Sequence, residues 1–254
     1  MVLLTSATLF VVGAIIASFV VVVVARLHTS QGFLTGRSRC DACNTPLALW
    51  ALVPVISYVA HRGRARCCGA HISLYSPLTE LLLGGLFMLS YLTLDLTPAL
   101  LAMFFSLSVL LALVLYDLAH QILPPSLLIV FVAASALTRY LLAPSFSAFS
   151  STLLVALGIT AVLALIHYAS RGRAMGLADA PLAFGLSLLA GSAALAGFIF
   201  SFWIGAVVGI LILLQRPVGS RIGVEVPFAP FLAAGFLLAY FTQWNPFALV
   251  ALLP

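Results

Sequence analysis

The chain contains no lysine, and only six of its 254 residues are acidic: Asp41, Glu80, Asp95, Asp117, Asp179 and Glu225. Charged side chains make up 7% of the sequence against 64% hydrophobic. Soluble domains carry about 25% charged residues, so this scarcity excludes a large soluble domain. Cysteine is missing everywhere except one polar stretch, which holds Cys40, Cys43, Cys67 and Cys68. Low-complexity tracts and clear internal repeats are also lacking. The first apolar run, 3–24, is longer than a signal-peptide h-region and has no small-residue cleavage site, so it reads as a retained helix.

Long apolar runs are what the chain has in abundance. A membrane-crossing helix needs about 20 such residues. Eight runs are candidates: 3–25, 77–94, 98–117, 124–143, 150–168, 179–194, 196–215 and 229–251. The sixth and seventh form one nearly continuous stretch, interrupted by Gly191, Ser192 and Gly197. The expectation is an all-α polytopic membrane protein with about eight transmembrane helices and one Cys-containing loop after the first. Three parts follow: a first helix (1–25), a loop with the Cys cluster (26–76) and a membrane core of about seven helices (77–254).

Arginine placement predicts orientation. With the N-terminus outside, the inner loops hold Arg26, Arg37, Arg39, Arg62, Arg64, Arg66, Arg171, Arg173, Arg216 and Arg221, and only Arg139 falls at an outer end. The Cys loop, Asp117 and Asp179 are then all cytoplasmic. Arg216 and Arg221 are expected to meet anionic headgroups. Membrane lipid is therefore an expected partner; nucleic acid is not.

Asp117 and Asp179 each end or open a long apolar run. An ionisable group costs about 2.5–3.5 kcal/mol at a helix centre on insertion scales. Two carboxylates held close share a proton. The ionised one activates water, and the protonated one polarises a carbonyl, which is aspartic-protease chemistry. The plainer alternative is that each caps a helix. That suits Asp179 at a helix start better than Asp117 near a helix end, where a negative charge opposes the dipole. Gly176 and Ala178 frame Asp179 with small side chains that permit close approach; an ordinary turn is the alternative. Glu80 follows Pro77 and is expected in a first helical turn, complementing the dipole. His120 is read as a solvated loop side chain, and His167 with Tyr168 as interface anchors.

Cys40-x-x-Cys43 has metal-ligand spacing, and a second pair 24 residues on suggests a tetrahedral zinc site. That pair is adjacent, Cys67-Cys68, which strains a single site; His71 is an alternative ligand, and free thiols in a reduced loop are the other reading. Disulfides are not expected if the loop is cytosolic. A metal staple would help so short a loop to fold.

On these residues the chain resembles the type IV prepilin peptidases, membrane aspartic proteases of bacteria, over nearly its whole length. Ser18-Phe19, Arg26-Leu27, Gly36-Arg37-Ser38-x-Cys40-x-x-Cys43, Trp50, Pro54, Ser57-Tyr58, Arg62-Gly63 and Cys68-Gly69-Ala70-x-Ile72-Ser73 follow the family order. Tyr75-x-Pro77-x-x-Glu80-Leu81, Asp117 with Leu123-Pro124, Gly176-x-Ala178-Asp179 and Pro227 to Leu232 continue it. The resemblance implies an enzyme of the bacterial inner membrane that cuts the basic leader from type IV prepilins and type II secretion pseudopilins, after a Gly, on the cytoplasmic side. It implies Asp117 and Asp179 as the catalytic pair, Gly176, Ala178 and Glu80 as active-site support, and a possible zinc on Cys40, Cys43, Cys67 and Cys68. It also implies N-methylation of the new terminus from S-adenosylmethionine; the peptidase step needs no cofactor. Three positions depart from the pattern. Ala178 replaces the family's second Gly, Pro181 stands where a Lys is common, and Ala65 stands where the third Cys would fall. The competing readings are a catalytically degenerate relative that only binds pilin subunits, and a proton- or cation-coupled transporter.

Overall fold

The computed structural model describes residues 1–27, 40, 42–43, 45–46, 54–215 and 226–246. Gly36, Arg37, Ser38, Arg39, Trp50, Arg216 and Arg221 lie outside the described residues. The described chain is helical, with isolated bridging such as Arg64 to His71 and no strand among the described residues. It divides into two units, Met1–Leu100 and Leu101–Pro254.

In the first unit, α1 (Val2–Arg26) and α3 (Tyr75–Leu94) pack together. The run of valines in α1 is a poor helix former in water, but in hydrocarbon only a helix satisfies the backbone within one segment. Small residues let the two backbones meet. A Cβ on Gly13 would stand 2.9 Å from Leu83 O, and one on Gly84 would stand 2.7 Å from Phe10 O. Between them lies the polar loop, with the short α2 (Ile56–Ala60) and a tight hairpin. The hairpin is tied by Ile72 N–H to Gly63 O and Ala65 N–H to Ala70 O, both at 2.8 Å, and carries Cys67 and Cys68 at its tip. α3 begins two residues earlier than the sequence predicted. Glu80 therefore falls in the second turn, not the first, and dipole complementation does not account for it.

The second unit is entered by α4 (Pro98–His120) and continues through α5 (Pro125–Leu142) and α6 (Phe146–Ala169). Pro125 opens α5 at a position where its missing N–H has no partner to lose. The Ser145 hydroxyl accepts the Ala148 N–H at 3.2 Å and caps α6. α7 (Asp179–Ala190) is buried at ten of its twelve residues. A helix apolar all round belongs inside a bundle, and at about 18 Å it is too short to cross alone. It ends at Gly191, whose φ of +60° with ψ of −121° is a backbone conformation that residues with a side chain rarely adopt. A 3-10 turn (Gly191–Ala193) leads into α8 (Ala194–Gln215), and α9 (Ala229–Thr242) packs along α8.

Six segments among the described residues are long and apolar enough to cross a membrane: α1, α3, α4, α5, α6 and Asp179–Gln215 taken as one. The expected count of eight is not reached by length. The break at Gly191 leaves α7 short, and α9 stops at 14 residues, where Gln243 turns left-handed at φ +53°. The all-α multi-pass architecture stands, as does the position of the Cys cluster after the first helix.

Candidate active site

Asp117 sits one turn before the end of α4, and Asp179 is the first residue of α7. Both are almost wholly buried, at 6% and 7% exposure. Burial of a carboxylate needs a partner or a reason. Asp117 has a partner: its Oδ2 accepts the backbone N–H of Ala229 at 3.3 Å. Ala229 is the first residue of α9, so the positive end of that helix faces the Asp117 carboxylate. Pro230 in the same first turn donates no N–H, which leaves Ala229 to make this contact. The two aspartates are close enough for the charge on one to act on the other.

Asp179 does not cap its helix. The N-cap is Ala178, and no side-chain cap bond forms. Asp179 thus makes no side-chain cap bond, but it stands in the first turn of α7, where the plainer reading also placed it and where a negative charge complements the helix dipole. Its carboxylate lies against Gly176, where a Cβ would stand 3.5 Å from Oδ2. Its N–H donates to Gly176 O at 3.3 Å, closing the turn that aims the side chain inward. Ala178 is half-buried at the turn. Pro181 occupies the first turn of α7, where a proline is tolerated.

Glu80 belongs to the first unit. It is 5% exposed and accepts the Val55 N–H at 2.8 Å and the Ser76 hydroxyl at 3.1 Å. It ties the polar loop to α3, with Val55 held at φ +58°. His120 is exposed and packs its ring on Tyr116 at 4.4 Å. His167 is more than an anchor: its Nδ1 lies 2.8 Å from Met175 O and ties down the loop that leads to Gly176.

The four cysteine sulfurs all lie within 4.8 Å of one another. Cys40 and Cys68 are 3.8 Å apart, Cys67 and Cys68 3.9 Å, and Cys43 and Cys67 3.2 Å. Zinc–sulfur bonds of about 2.3 Å at tetrahedral angles put sulfurs about 3.8 Å apart, so this donor set fits such an ion. The adjacent pair is accommodated because the hairpin turns at 65–70, letting both side chains face Cys40 and Cys43. His71 is not among the clustered ligands; its backbone bridges Arg64. Thr45 holds the Cys43 thiol down at about 6, whereas neighbouring Cys43 and Cys40 push Cys67 up to about 12.

The Ala229 N–H is the participant that residue types could not reveal, since a backbone donor leaves no mark in a sequence. The available signal was Pro230 at the start of the last apolar run, which marks a helix N-terminus.

The fold is that of a multi-pass helical membrane protein, and it buries two carboxylates. The comparisons specify it further. Residues 11–94 match the model of the bacterial peptidase A24 N-terminal domain, and residues 104–214 that of the type IV leader peptidase family. A prepilin leader peptidase/N-methyltransferase of Myxococcus xanthus is 35% identical over 81% of this chain and 62% of its own length. The protein of the same description from Bacillus subtilis is 32% identical over 91% of this chain and 92% of its own. No solved structure matches. The chain belongs to the type IV leader peptidase family, a class of membrane enzyme that processes prepilins.

Proposed function

We propose that the chain is an aspartic endopeptidase that removes the leader from type IV prepilins or pseudopilins, with Asp117 and Asp179 as its catalytic pair. The observation that carries this is two interacting carboxylates, each nearly fully buried and neither ion-paired with a described residue, in a chain with only six acids. One carboxylate, ionised, takes a proton from water as the oxygen adds to the scissile carbonyl carbon. The other, protonated, donates to the carbonyl oxygen. Collapse breaks the C–N bond as a proton passes to the leaving amine. The Ala229 N–H at the start of α9 holds the Asp117 carboxylate in place for this role. Gly176 and Ala178 leave room for a substrate backbone beside Asp179. Glu80 supports the reaction only through the polar loop that it ties down.

The arginine-rich loops favour an N-terminus outside and the Cys loop and both aspartates at the cytoplasmic face of the bacterial inner membrane. Cys40, Cys43, Cys67 and Cys68 would hold zinc as a structural staple of that loop. N-methylation is supported by the names of the relatives and S-adenosylmethionine by the family resemblance, and no residue is assigned to either. The test is co-expression with a prepilin in cells lacking their own peptidase, with leader removal followed by gel shift. Cleavage is expected. A correctly inserted protein that leaves several prepilins uncut would instead fit the pilin-binding or transport readings.

A further inference from the structure

The segment between α6 and α7 carries a feature that the peptidase reading does not use. Ala169, Ser170, Arg171, Arg173 and Ala174 line an open groove of about 570 Å³. That is far more than a water needs, at roughly 30 Å³ in the liquid. Arg171 and Arg173 both line it from one short loop, and both are exposed. Neither forms an ion pair among the described residues. The loop is not a loose tether. Gly172 N–H bonds to His167 O at 2.9 Å, Arg173 N–H to Ser170 O at 3.2 Å, and Ala174 N–H to the Ser170 hydroxyl at 3.2 Å. His167 Nδ1 closes the far side on Met175 O. The charges are thus presented on a built frame.

The depth of the groove identifies its ligand. α6 has 24 residues, about 36 Å of helix, against a hydrocarbon core of about 30 Å, so its end reaches the headgroup layer. Tyr168, 67% exposed beside the groove, is an aromatic suited to that layer. A paired guanidinium site there meets phosphate before it meets any other anion.

We propose that the Arg171–Arg173 groove is a binding site for the phosphate of an anionic phospholipid headgroup. Phosphatidylglycerol is the simplest such lipid. The loop continues through Met175 to Gly176 and Asp179, so occupancy of the groove also steadies the approach to the candidate active site.

The test uses the full chain, purified in an uncharged detergent and stripped of lipid, with thermal unfolding as the readout, which does not depend on peptidase activity. Phosphatidylglycerol, phosphatidylcholine and inorganic phosphate are titrated separately. Phosphatidylglycerol is expected to raise the unfolding temperature saturably, phosphatidylcholine much less, and inorganic phosphate hardly at all. The double variant Arg171→Gln, Arg173→Gln should need about 30-fold more phosphatidylglycerol for the same shift. The charge-preserving Arg171→Lys, Arg173→Lys protein should keep the response. Equal shifts with both lipids would overturn the proposal, since acyl chains alone would then explain them. An unchanged response in the Gln variant would overturn it too, as would saturation by inorganic phosphate, which would make this a site for a soluble anion. The headgroup comparison on the unaltered protein decides the matter even if the Gln variant fails to fold.

Discussion

Replacing Gly235 by alanine joins packing to the candidate site in one step. Gly235 lies where α9 meets α8 most closely: a Cβ there would fall on the backbone nitrogen and hydroxyl of Ser201 and stand 2.6 Å from Ser201 Cα. Ordinary contact begins at 3.4 Å, so clearing the α-carbon of Ser201 alone requires the helices to part by about 0.8 Å. Backbone atoms cannot rotate away as a flexible side chain can. Overpacking of this kind costs about 1–3 kcal/mol. Ala229, on the same helix about 9 Å away, holds Asp117 through a 3.3 Å bond that has little length to spare. A misplacement of about 1 Å near a reacting group can lower a rate by about 100-fold. Gly235→Ala should therefore lower the unfolding temperature in detergent and reduce kcat/KM for prepilin cleavage by roughly 10- to 100-fold. Removing the hydroxyl as well, in Gly235→Ala with Ser201→Ala, should not restore either, because the clash with the backbone remains. A variant with unchanged stability and unchanged cleavage would refute the coupling between α8–α9 packing and Asp117.

Other outcomes follow from single interactions. Glu80→Ala leaves the part-buried Val55 N–H without an acceptor and should destabilise the protein by about 1–3 kcal/mol, with faster proteolysis around residues 54–73; Glu80→Gln should recover most of this. Gly191→Ala meets both the +60° backbone and the Arg139 guanidinium, 2.6 Å from the new Cβ, and should cost about 1–3 kcal/mol by thermal melting. Chelation of metal-loaded protein should expose the cysteines to alkylation and speed proteolysis of the loop. In the stripped protein, with Cys43 at about 6 and Cys67 at about 12, alkylation followed by mass spectrometry should modify Cys43 first. Its rate should fall only as pH drops below about 6, while Cys67 stays slow at neutral pH.

Much of this arrangement is legible in the residues themselves. Apolar runs mark nearly every helix because hydrocarbon forces the backbone to satisfy itself. Asp117 and Asp179 stand out because carboxylates are so rare and costly in such runs. The Cys40, Cys43, Cys67 and Cys68 set is visible from spacing, although only the hairpin geometry shows how adjacent cysteines face one ion site. Other features depend on tertiary packing that a pattern does not carry. The last apolar run looks long enough to cross, yet its helix ends at Thr242 because the next residue turns left-handed. Glu80 looks like a first-turn acid until α3 starts at Tyr75 and brings Val55 to it. The Ala229 N–H on Asp117 joins residues 112 positions apart, and no local signal predicts such a pairing.

The paired-carboxylate account is tested most directly by prepilin cleavage in the unaltered protein beside Asp117→Asn and Asp179→Asn, each reconstituted at equal, verified levels of folded protein. Asparagine keeps the shape of the side chain and removes its ability to ionise, so each variant should lose at least about 100-fold in cleavage rate. The double variant should be little worse than either single one, because the two groups act as a unit. Cleavage that survives at an undiminished rate in either variant would remove that residue from the catalytic pair and contradict the mechanism.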